Sequence, residues 1–119
     1  MIRPFATVAL AASLVAATGQ SATAASFDCS QAEAPDEIAV CDNADLSALD
    51  SEMGGLWYAY NLLPFLMGES GNRHDEAEAF LHQRSQCGSD VSCLTQAYQA
   101  RIATLRQDLQ SGIQELCHN

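Results

Sequence analysis

Five cysteines placed behind an apolar amino terminus constrain this chain more than any other feature. Cys29, Cys41, Cys87, Cys93 and Cys117 all follow a segment that reads as an export signal. Cys29/Cys41 and Cys87/Cys93 are close pairs, each flanking a short stretch. Such a pattern in a short exported chain predicts local disulfides formed in an oxidising compartment. Close spacing favours Cys29–Cys41 and Cys87–Cys93 without excluding other pairings. Cys117 is left over, with three options: a free thiol, an intermolecular bridge, or competition for another partner.

The amino-terminal segment has the parts of a secretory signal. Arg3 supplies the positive charge, and Phe5 to Ala17 forms an apolar run of about 13 residues. That run is short of the roughly 20 residues a membrane-spanning helix needs. Ala22-Thr23-Ala24 fits the small-x-small cleavage pattern, so cleavage is expected after Ala24 or Ala25. Cys29 stands behind Ser26-Phe27-Asp28 rather than directly after small residues, which argues against a lipid anchor. The expected organisation is a signal over 1–25 and one domain over 26–119, with a periplasmic or secreted location.

The mature chain has about 94 residues, enough for one small domain. A core of that size needs reinforcement. A Cys29–Cys41 loop of 13 residues contributes about 3 kcal/mol in the chain-entropy model, and a Cys87–Cys93 loop of 7 residues about 2 kcal/mol. The full chain carries 15 acids against 5 bases, for a formal charge of −10. Loss of Arg3 with the signal takes it to −11. No lysine is present. This field repels nucleic acid and anionic lipid and attracts a basic protein or a cation. Net negative charge also serves plain solubility.

Downstream of the signal the pattern is helical. No stretch alternates with a period of two, so strands are not expected. Pro35 suits a first helical position, and Asp36 and Glu37 favour the positive end of the helix dipole. This short turn brings Cys41 back toward Cys29. Asn43 caps a longer helix whose stripe is Leu46, Leu49, Met53, Leu56, Tyr60 and Leu63. Pro64 ends it, and Gly68 to Gly71 reads as the connection. A second helix is predicted from about Arg73 to Gln86, capped by Asn72, with Ala77, Phe80, Leu81 and Arg84 on one face. Asp90 caps a third, on which Val91, Leu94, Tyr98, Ile102, Leu105, Leu109, Ile113 and Leu116 alternate steps of three and four. The fold class is therefore all-α: a small three-helix domain with a short N-terminal helical turn, stapled by two local disulfides.

The order of motifs resembles the LprI-type lysozyme-inhibitor-like family. Phe27-Asp28-Cys29-Ser30, Glu37-Ile38-Ala39-Val40-Cys41, Leu46 and Leu49-Asp50 match its opening. Phe80-Leu81-His82-Gln83-Arg84-Ser85-Gln86-Cys87 is similar to its W-L-x-x-R-x-x-C element. Cys93-Leu94, Tyr98, Arg101-Ile102 and Leu105 resemble its close. The resemblance spans about residues 27 to 106. It implies a small exported helical domain with paired cysteines that binds and inhibits lysozyme. No cofactor is expected. The chain departs from the pattern at Trp57, Ala77 and Phe80, where the family usually has tyrosine, glutamine and tryptophan.

Few groups suggest chemistry. Asp50, Arg84 and Arg101 interrupt apolar faces, so structural ion pairs among them are expected, in bidentate arginine–carboxylate geometry. His74, Glu78 and His82 lie at i, i+4 and i+8, but the two histidines are about 12 Å apart along a helix. One ion cannot take all three, and no metal site is assigned. Cys87-x5-Cys93 is not a C-x-x-C redox motif. No nucleophile elbow, H-E-x-x-H or phosphate loop occurs, so the chain is not expected to be an enzyme. Trp57 and Tyr60 share a face suited to the core, with Tyr58 pointing elsewhere. The partners predicted are a basic protein such as lysozyme, or a second copy through Cys117.

Overall fold

The computed structural model describes residues 25–64 and 67–118, with residues 67–70 described by their backbone alone. Residues 1–24, and so nearly all of the expected signal, lie outside the described residues. A single 3-10 turn, Cys29–Gln31, leads into α1 (Pro35–Asp42), α2 (Ala44–Asn61), α3 (Met67–Cys87) and α4 (Val91–His118). No strand occurs among the described residues.

Each helix start has a local cause. Asp28 accepts a hydrogen bond from the Ser30 N–H and opens the first turn. Pro35 occupies the first turn of α1, and the Glu37 carboxylate reaches back to the N–H groups of Glu33 and Ala34. Those two donors, joined by Arg84 nearby, hold the Glu37 carboxyl below its usual range. Asn43 Oδ1 accepts from the N–H groups of Asp45 and Leu46 at 3.0 Å each, capping α2 while α1 ends on the same residue. Asp90 Oδ1 accepts from the Cys93 N–H at 2.9 Å and caps α4. Gly88 sits at φ 56°, the left-handed conformation that turns the chain between α3 and α4 at no side-chain cost.

Both close cysteine pairs are disulfides, Cys29–Cys41 and Cys87–Cys93. The first ties the 3-10 turn to the end of α1. The second clamps the turn between α3 and α4. Cys117 is free and exposed near the end of α4.

α4 packs chiefly on α2, with α1 also against α2 and α3 against α4. The core joins Val40, Leu46, Phe80, Leu94, Ala97 and Tyr98, with Phe27, Leu49 and Met53 packed at its margin. The stripes behave as their spacing predicts in the middle of the bundle. At its ends they do not: Val91, Ile113 and Leu116 are all more than two-fifths exposed. A period of three to four residues marks a helix face, but the partner helix must also extend that far to cover it.

One boundary differs from expectation. Gly68 to Gly71 is helical rather than a connection, and Asn72 is an interior residue of α3 rather than its cap. Glycine is a poor helix former, by about 1 kcal/mol relative to alanine. Nucleation is the costly step, however, and the packed part of α3 around Arg73, Phe80 and Arg84 provides it. The weak residues need only propagate a helix already formed.

Candidate functional site

A chain of buried polar groups crosses the core and touches every helix. It begins on α1 with Asp36, 3% exposed, whose Oδ2 accepts from Arg84 Nε at 2.7 Å. Arg84, on α3, then donates from Nη1 to the Tyr98 hydroxyl of α4 at 3.4 Å. Tyr98 donates in turn to Asp50 Oδ1 of α2 at 2.8 Å. The other oxygen of Asp50 accepts the backbone N–H of Ser26. Phe27 lies under the Arg84 guanidinium, 5.5 Å from its ring centre, and Phe80 meets the Tyr98 ring edge-on at 5.2 Å. Ser26, Phe27, Asp36, Asp50, Met53 and Arg84 border an open groove of about 530 Å³.

The electrostatics follow from this geometry. Burial and then the Asp50 carboxylate push the Tyr98 phenol far above the ordinary tyrosine value. Arg84 is held in its charged form by the Tyr98 hydroxyl and the Asp36 carboxylate against the opposing effect of burial. A raised folded value means that the folded state keeps a proton the unfolded chain would release. Tyr98 therefore contributes stability in full below about pH 10, and that contribution is lost as pH rises beyond it. In an alkaline titration, the last tyrosinate absorbance is expected to rise together with loss of helical circular dichroism, and Tyr98→Phe should remove that late component. Ionisation of all tyrosines near pH 10 with the helices intact would contradict this.

The expected ion pairs form with different partners. Arg84 pairs with Asp36, and Glu37 Oε1 lies 3.9 Å away. Asp50 meets neither arginine and takes the Tyr98 hydroxyl instead. Arg101 bonds Glu76 at 3.3 Å and lies 5.9 Å from the Trp57 ring centre. The helix faces named in sequence are therefore the packed ones, but α3 packs on α1 and α4 rather than on α2, which puts Asp36 of α1 opposite the Arg84 guanidinium. Three members of the buried chain were not assigned to it from sequence. Asp36 resembled an ordinary first-turn acid, Tyr98 an ordinary stripe residue, and Ser26 only a residue between the expected cleavage point and Cys29. The usable signal was the Tyr98 hydroxyl, since a buried phenol needs a partner.

His74 and Glu78 approach to 3.2 Å as an exposed i, i+4 pair, and His82 stands apart and exposed. Among the described residues no group of three or more His, Cys, Asp or Glu is arranged to hold a metal ion. No helix among them is long and apolar enough to cross a membrane.

The fold and the buried polar chain define a small all-helical domain stapled by two disulfides, a combination that fits an oxidising compartment. Comparison with known proteins returns no matching family model, no matching curated protein and no matching solved structure.

Proposed function

We propose that this chain is an exported acidic binding module that docks on a basic protein, with lysozyme, the target implied by the family resemblance, as the partner to test. The supporting observation is where the positive charge goes. Arg73 and Arg84 are buried, and Arg101 and Arg106 are engaged by Glu76 and Glu52. The acids, by contrast, are mostly on the surface: Asp28, Glu33, Asp42, Asp45, Asp75, Glu78 and Asp90 are exposed. With two of its four described arginines buried and the other two paired with acids, the surface carries a net negative field, which steers a basic partner and repels nucleic acid.

Lysozyme is a basic enzyme, so the interaction should depend on screening. Stoichiometric inhibition by the oxidised protein is expected at about 0.05 M salt and should fade by about 0.5 M, as the Debye length shrinks to a few ångströms. No inhibition at several-fold molar excess would remove lysozyme as the target. Inhibition indifferent to salt would remove the charge argument.

A second reading is a dimerising envelope protein without inhibitory activity. The end of α4 favours it: Ile113, Leu116 and Cys117 are exposed at helical spacing, an apolar strip with a thiol at its edge. A dimer band on a non-reducing gel, lost in Cys117→Ser, is the expected result for this reading. A band that survives the substitution would exclude Cys117 as the link.

A further inference from the structure

Asp50 is a carboxylate with 1% exposure and, among the described residues, no ion-pair partner. Its two oxygens take one hydroxyl, from Tyr98, and one backbone N–H, from Ser26. The only cation of the buried chain, Arg84, is spent on Asp36 and stops at the far side of Tyr98. Burial of an anion without a cation is expensive, and folds that do it ordinarily supply the missing charge.

The backbone nitrogen of Ser26 is placed to become that charge. α2 is shaped for the approach: a Cβ added to Gly54, one turn beyond Asp50, would lie 2.8 Å from Ser26 Cβ, closer than carbon atoms pack. Any side chain at 54 would push the segment off Asp50. Phe27 holds the next residue by packing at the margin of the core and under Arg84. The peptide bond on the other side of this nitrogen, Ala25–Ser26, is one of the two expected cleavage points of the export signal.

We propose that the processing site is the Ala25–Ser26 bond and that the new amino terminus becomes the ion-pair partner of Asp50. A signal peptidase hydrolyses the bond with one water. Ala25 leaves with a carboxylate, and Ser26 keeps an amine that takes up a proton. The neutral N–H donor on Asp50 becomes an ammonium at the same position. Maturation thus supplies the cation the buried carboxylate lacks, in exchange for the contact Ala25 makes at the margin of the core. The inference rests on the export reading and not on any binding partner.

The chain suits a direct test because its five basic residues are all arginine. The α-amine is then the single primary amine of the mature protein, and an acetylating N-hydroxysuccinimide ester reports on it once the free thiol of Cys117 is capped. The full-length chain is exported to a bacterial periplasm, purified oxidised, and its first residue read by intact mass. The expected mass begins at Ser26. Its amine should acylate at least about tenfold more slowly in the folded protein than in denaturant, the effect of one unit or more of pKa elevation by Asp50. Asp50→Asn should restore the fast rate. Gly54→Ala covers the case in which Asp50→Asn does not fold. It raises the helix propensity of α2 by about 1 kcal/mol yet displaces Ser26, so it should fold and still react fast. A mature chain starting at any other residue, including Ala25, overturns the proposal. Equal rates in folded and denatured protein, or a slow rate in folded Gly54→Ala, overturn it as well.

Discussion

Arg84→Met is expected to destabilise the domain by about 3–5 kcal/mol, the usual cost of stranding one member of a buried ion pair. Asp36 is 3% exposed, and its carboxylate would lose its cation without gaining water. The same substitution removes a donor from the Tyr98 hydroxyl and the cation over Phe27. Small domains have only about 5–15 kcal/mol to lose, so the variant should unfold near ambient temperature or at low urea. Replacing both partners, as Asp36→Leu with Arg84→Met, should recover most of the loss, because no buried charge is then stranded and only the Tyr98 hydroxyl is short of a donor. Urea unfolding of the two single variants and the double variant measures the coupling. A single-variant loss below about 1 kcal/mol would mean that water reaches Asp36 readily and that the pair contributes as little as a surface one.

Removal of the Cys29–Cys41 bridge as Cys29→Ser with Cys41→Ser is expected to cost about 3 kcal/mol, the entropy of opening its 13-residue loop. In a domain of this size that lowers the melting temperature by roughly 12–24 °C. The bridge fastens the first turn to α1, and α1 carries Asp36 into the core. Its loss should therefore weaken the Asp36–Arg84 pair too. The matching substitutions at Cys87 and Cys93 open a shorter loop and should cost about 2 kcal/mol. Reduction of both bridges removes an amount comparable with the entire stability, so helical circular dichroism at 37 °C is expected to collapse on adding a thiol. Retention of the full signal in strong reductant would show that packing of α2 on α4 suffices alone.

Arg84 and Asp50 mark how far each kind of evidence reaches. A charged residue on an apolar stripe announces that it will be buried and will need a partner, and both residues are buried. Periodicity says nothing about which helices become neighbours. α3 packs on α1 and α4, so Arg84 meets Asp36 and Tyr98, and Asp50 on α2 takes Tyr98 instead. The same limit applies to Leu81, which lies between buried Phe80 and Arg84 yet faces outward, and to Val91 at the start of α4. At Gly68 to Gly71 local propensity favoured a loop. Cooperativity with the packed part of α3 prevailed, because propagation is cheap once nucleation is complete.

The amino-acid sequence alone determined the all-helical class and the caps at Asn43 and Asp90, and it favoured the two local staples that the structure forms. All of these depend on groups within a few residues of one another, where geometry follows from chain connectivity. Only the tertiary structure decided that Asp36 receives Arg84, that Asp50 receives Tyr98, and that Gly54 clears a place for Ser26. Those contacts join residues 28 to 48 positions apart. Hydrogen bonds select among such partners at a scale of tenths of an ångström, and that scale is set by the rotation and offset of whole helices.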